Sequence, residues 1–194
     1  MYHFISRFLI PALTFTVSGS KNWFTLNFSV NHAYFPDNIL LIVWAMVVGG
    51  FYHTFTRQAV RKASPYLNAD TELIVIDISV CLLLTSVLFP YRPSATPFPA
   101  FLHLITAFSA TVLFFLAITA MDLRLYVMAP DLFALPTGLL VFAICISISL
   151  LVLCGFLITS ALEIFLTLFS CFWLTLFDRK LSVWVRRKRM YFRV

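Results

Sequence analysis

The sequence predicts an all-α fold, a polytopic bundle of about six transmembrane helices with both termini on the cytoplasmic side. Three observations carry this. The chain has 194 residues, 61% hydrophobic and 11% charged, where a soluble domain carries about 25% charged residues; so much apolar surface has to face lipid as well as a core. The run from Leu139 to Phe177 holds a single ionisable side chain, Glu163. As one helix it is roughly 58 Å long at 1.5 Å per residue, about twice the ~30 Å bilayer core, so it is expected to fold back near 155–160. Finally, the positive charge is unevenly distributed along the chain, as set out below.

The first predicted helix is 2–17. Arg7 and the following apolar stretch resemble a signal peptide, but the start is weakly basic and Thr16–Ser20 is a poor cleavage site, so a retained helix is expected. The segment 19–36 reads as a polar and aromatic loop with an Asn27-Phe28-Ser29 sequon, which matters only in a glycosylating, luminal setting. Pro36-Asp37 reads as a helix start. Helix two is 39–55, where Gly49 and Gly50 admit a close neighbour, followed by a basic loop with Arg57, Arg61 and Lys62. Helix three is 73–89, with Asp70 and Glu72 ahead of it. Four prolines between Pro90 and Pro99 make a stiff loop. Helix four is 100–120, residues 121–136 form a loop, and helices five and six are 138–154 and 159–177. A basic cytoplasmic tail, 178–194, completes a single integral membrane domain.

With the N-terminus inside, twelve of the 14 Lys and Arg fall on the inner segments, leaving Lys21 and Arg92 outside, the asymmetry of the positive-inside rule. Seven lie beyond Phe177. Arg186, Arg187, Lys188 and Arg189 are expected to contact anionic lipid; a short tail directly after a membrane segment does not point to nucleic acid. Cys81, Cys145, Cys154 and Cys171 sit in apolar runs without metal-site spacing and read as small buried hydrophobes. One His and one Glu do not make a metal site, and there is no phosphate loop or dinucleotide fingerprint; no metal or cofactor is expected. With no organelle-targeting pattern in view, the expected home is a bacterial plasma membrane.

Ionisable side chains inside membrane helices are functional candidates by default. The topology puts His103 and Glu163 at one depth, about a turn inside the outer face. Ser160, Glu163, Thr167 and Ser170 follow one another at spacings of three and four on helix six, as do His103 and Thr106 on helix four, so a small wet cavity lined by His103, Glu163, Thr106, Ser160 and Thr167 is expected. An inner polar cluster of His53, Arg57 and Asp77 is expected near the other face. The bland alternatives stand beside both: such groups also reach into the headgroup region or pair as inter-helix glue worth about 0.6 kcal/mol.

Three short stretches carry a family resemblance: Leu88-Phe89-Pro90 before a Pro-rich loop and Phe101-Leu102-His103; Ser160-Ala161-Leu162-Glu163-Ile164-Phe165 in the last helix; and Leu26-Asn27-Phe28-Ser29 in the first loop. The arrangement resembles the small six-helix membrane proteins of the DUF998 group and the related Frag1/DRAM/Sfk1-like set. The resemblance implies six helices and an outer polar patch, and no settled activity. Val30-Asn31 depart from it, standing where an acidic element follows the loop serine.

The leading expectation for function is a non-enzymatic membrane protein whose outer-leaflet cavity binds a lipid or amphiphile or docks a partner protein. The rivals are a membrane-embedded hydrolase or transferase using His103 and Glu163 as acid and base, a small proton-coupled carrier, and a subunit of a larger complex.

Overall fold

The computed structural model describes residues 2–19, 22–31 and 38–191. Among them there is no strand. The first helix, α1, is a continuous run in three parts: Tyr2–Phe4, a π-helical turn Ile5–Leu9, and Ile10–Ser18. Pro11 accounts for the turn. Proline has no amide to give and its ring crowds the carbonyl four residues back; just ahead of it the helix widens, and the Ile10 amide reaches the Ile5 carbonyl. Gly19, at φ 65°, ends the run in a backbone region that favours glycine. A short helix, α2 (Phe28–Asn31), follows inside the first loop. Then come α3 (Asn38–Ala63), α4 (Asp70–Ser86), α5 (Pro97–Met128), α6 (Pro130–Leu153) and α7 (Ser160–Tyr191).

Four of these, Asn38–Ala63, Pro97–Met128, Pro130–Leu153 and Ser160–Met190, are long and apolar enough to cross a membrane, as in an integral membrane protein. Helices α3 to α7 pack in sequence and close into a ring through contacts of α3 with α7, while α1 lies in the groove between those two. One end of the ring, here the capped end, carries α2, the start of α7 and the α4–α5 loop. The other, the basic end, carries the C-termini of α3, α5 and α7.

Lipid tails are as apolar as leucine, so helices in a bilayer are held by close packing and interhelical hydrogen bonds more than by exclusion of water. Both devices are present. Gly49 leaves α3 free to approach α4, since a Cβ there would already touch Val80 Cγ1 at 3.4 Å. The Ser79 hydroxyl donates to the Ala110 carbonyl at 2.7 Å, joining α4 to α5. Trp173 of α7 is fully buried, stacks on Phe177 with centroids 4.8 Å apart, and donates its indole N–H to the Pro136 carbonyl of α6 at 2.9 Å. At the basic end, Lys62 meets Asp178 at 2.5 Å, Arg124 meets Glu72, and Arg187 meets Asp131 at 2.5 Å.

Several sequence expectations are corrected. The helix expected over 39–55 runs on to Ala63, and that expected over 73–89 is Asp70–Ser86. The loop expected over 121–136 is helix, with Ala129 alone between α5 and α6. Its charged and proline residues are compatible with helix here: Pro130 takes the first helical position, where no amide is needed, Asp122 accepts from Thr137 at 2.7 Å, and Arg124 donates to the Asn68 carbonyl at 2.8 Å. The basic tail is a continuation of α7 as far as Tyr191. The expected helix start at Pro36-Asp37 lies outside the described residues.

Candidate functional site

The capped end is built where the first loop meets the last helix. The opening amides of any helix lack intrahelical partners. In α7 two of them are satisfied from the first loop: Ser160 N–H donates to the Leu26 carbonyl at 2.6 Å and Ala161 N–H to the Trp23 carbonyl at 2.9 Å. One turn on, Glu163 answers in the opposite sense, its Oε2 accepting the Phe28 amide at 2.8 Å. The Asn27 side chain accepts the Val30 amide at 2.8 Å and so starts α2. Phe28 is buried edge-on against Trp44, with centroids 5.2 Å apart, and the Trp44 indole donates to Thr14 Oγ1 at 3.0 Å. The loop is thereby tied to α1, α3 and α7.

The next residue, Ser29, is the least anticipated member of the site. Its hydroxyl lies 2.6 Å from His103 Nε2, and both side chains are buried. On the other side of the imidazole, Nδ1 is 2.8 Å from the Ser86 carbonyl and 3.1 Å from that of Phe89, at the end of α4. A carbonyl oxygen only accepts, so Nδ1 carries a proton. In the neutral ring Nε2 is then the acceptor, and Ser29 donates to it. The imidazole is held by main-chain atoms, with its free lone pair directed at a serine hydroxyl.

Beneath these groups lies a cavity of about 310 Å³, at the lower end of the roughly 300–1,000 Å³ usual for small-molecule sites. All five ring helices line it, and its wall is chiefly apolar: Val48, Val80, Leu83 and Phe114 are representative. Ser29, His103 and Glu163 contribute polar atoms at the capped end; Thr167 and Ser170, also lining residues, are buried further down α7. On the α5–α6 side the lining residues Phe108, Val112, Ile144 and Ile148 are also exposed on the outside of the bundle, so the cavity reaches its lateral surface there.

His103 and Glu163 thus lie at the same end of the ring and contact consecutive residues of one loop, Ser29 and Phe28, each bonded to the loop. Thr167 lines the cavity, but Thr106 and Ser160 do not. The Thr106 hydroxyl turns back to its own helix, donating to the Leu102 carbonyl at 2.7 Å, as threonine commonly does inside helices. The Ser160 side chain is buried without a partner at the start of α7. His53, Arg57 and Asp77 come together away from the cavity: Asp77 lies 2.9 Å from His53 and 3.3 Å from Arg57, all of them about one-third to one-half exposed. Of the basic residues Arg186, Arg187, Lys188 and Arg189, Arg187 is engaged by Asp131, and Lys188 lies 5.8 Å from the centre of the Trp184 ring. Among the described residues, no three His, Cys, Asp or Glu converge as a metal ion would require.

Ser29 closes the Asn27-Phe28-Ser29 sequon, yet nothing in its local sequence marks it as a partner for a histidine 74 positions away. Comparison with protein-family models, with curated proteins and with solved structures finds no match.

Proposed function

We propose that the protein is a small integral membrane protein that holds a single-chain lipid or other amphiphile in the cavity of its helix ring, the apolar chain among the helices and the polar head at Ser29, His103 and Glu163. The observation that carries this reading is a cavity with a chiefly apolar wall and an imidazole and a carboxyl group, those of His103 and Glu163, at the same end, the division of chemistry an amphiphile itself has. Lateral access between α5 and α6 supports it further, because a molecule dissolved in the bilayer approaches from the side.

In this reading α1 and α4 accompany the four long helices as further membrane elements, making six with both termini cytoplasmic. The basic end then faces the cytoplasm, in keeping with the positive-inside rule, and the capped end lies just under the opposite face. Arg186 and Arg189, beside the two engaged basic residues, extend toward anionic headgroups of the inner leaflet.

The test is native mass spectrometry of protein released from membrane mimetics, with lysophospholipid and fatty acid as probes. One bound molecule per chain is expected, lost in Ala107→Trp, where an indole replaces a methyl group of the cavity wall. Equal retention by wild type and Ala107→Trp would overturn the reading.

A further inference from the structure

Resting on that reading, we propose that Ser29 and His103 form a nucleophile–base pair that cleaves fatty-acyl esters held in the cavity. The geometry is that of a Ser–His hydrolytic centre in its essentials: a hydroxyl within hydrogen-bond reach of an imidazole, and the imidazole oriented by a third group on its far nitrogen. Ser29 Oγ stands 2.6 Å from Nε2, and the Ser86 carbonyl 2.8 Å from Nδ1 supplies the orientation. A main-chain carbonyl here takes the place usually filled by a carboxylate. Glu163 does not fill that place: the Nδ1 proton is directed at the Ser86 and Phe89 carbonyls, and the Glu163 carboxylate accepts the Phe28 amide instead.

Location distinguishes this contact from an ordinary loop anchor. Ser29 and His103 both line the cavity, so the pair borders the space the acyl chain occupies. No other lining serine, Ser79, Ser86, Ser147 or Ser170, sets its hydroxyl against an imidazole; Ser79, Ser86 and Ser147 spend their hydroxyls on carbonyls.

The chemistry closes with water as the one co-reactant. Ser29 Oγ attacks the ester carbonyl as its proton passes to His103 Nε2. The tetrahedral adduct breaks its bond to the alcohol oxygen, which leaves with the proton from Nε2, and the acyl group remains on Ser29. Water then attacks the acyl carbon while Nε2 takes a proton from it. Collapse of the second adduct returns that proton to Ser29 Oγ and releases the fatty acid.

The experiment treats the full-length protein in lipid nanodiscs with a long-chain alkyl fluorophosphonate. Serine oxygen bonds to phosphorus, fluoride leaves, and the product is a stable adduct located by peptide mass spectrometry. The expected result is one adduct per chain, on Ser29, absent in Ser29→Ala and formed roughly a hundredfold more slowly in His103→Asn, the lower range for loss of a general base. An unreactive alkyl phosphonate of the same chain length measures occupancy separately. Occupancy without an adduct in wild type, an adduct on a different serine, or an undiminished rate in His103→Asn overturns the pair while leaving the amphiphile reading standing. Absence of both occupancy and adduct overturns both. Should His103→Asn fail to fold, the wild-type result alone still decides, because a serine that merely anchors a loop yields no adduct.

Discussion

At the scale of single residues, the capped end turns on two side chains with different tasks. Glu163 accepts a main-chain amide from a segment 135 positions away. Removing that acceptor leaves a partly buried N–H without a partner, which costs about 1–3 kcal/mol. Glu163→Ala is therefore expected to lower stability by that amount in a reversible unfolding assay in mixed micelles, and Glu163→Gln, which keeps an amide oxygen in place, by clearly less. Asp77 offers the contrast. Its contacts with His53 and Arg57 are partly exposed, and exposed ion pairs contribute roughly 0–1 kcal/mol, so Asp77→Asn is expected to shift the same assay by less than about 1 kcal/mol. His103 and Glu163 stood out in the sequence because an ionisable group in an apolar run is conspicuous. Ser29 is visible there only as part of a sequon and of the Leu26–Ser29 stretch, and not as a member of the site, because a serine in a polar loop has nothing to contrast with. Its role depends on a partner on another helix, and spacing along the chain carries no information about that.

At the scale of elements, periodicity and hydropathy placed the helices and misplaced their ends. The segment 121–136 was misread because its charges and prolines are loop signals when isolated. Asp122, Arg124 and Pro130 are compatible with helix only because Thr137, the Asn68 carbonyl and a first-turn position receive them. The two adjacent glycines of α3 were legible as a close-approach site, but only packing separates their roles. Gly49 faces Val80 at contact distance, whereas nothing lies within 4 Å of a Cβ at Gly50. Overpacking a helix interface typically costs about 1–3 kcal/mol. Gly49→Leu is expected to fall in that range in the micelle assay, and Gly50→Leu to stay near wild type.

At the scale of the whole molecule, charge and shape agree on a polarity. The ring has a basic end, where Lys62, Arg124 and Arg187 meet acidic partners on neighbouring helices, and a capped end with the polar groups of the cavity. Single cysteines introduced as Arg61→Cys and Ala95→Cys in a cysteine-free background are expected to react with an impermeant maleimide from opposite sides of sealed vesicles. Reaction of both from one side would refute the proposed topology. The closure of the ring also bears on how the chain is made. Trp23, Leu26 and Phe28 are made well over a hundred residues before Ser160, Ala161 and Glu163, the partners of their main-chain polar atoms, so those atoms wait unmatched while the intervening helices are inserted. A chain terminated before Ser160 would keep its first loop tethered through Phe28 against Trp44 and Ser29 at His103, with the Trp23 and Leu26 carbonyls and the Phe28 amide left without the partners that α7 supplies.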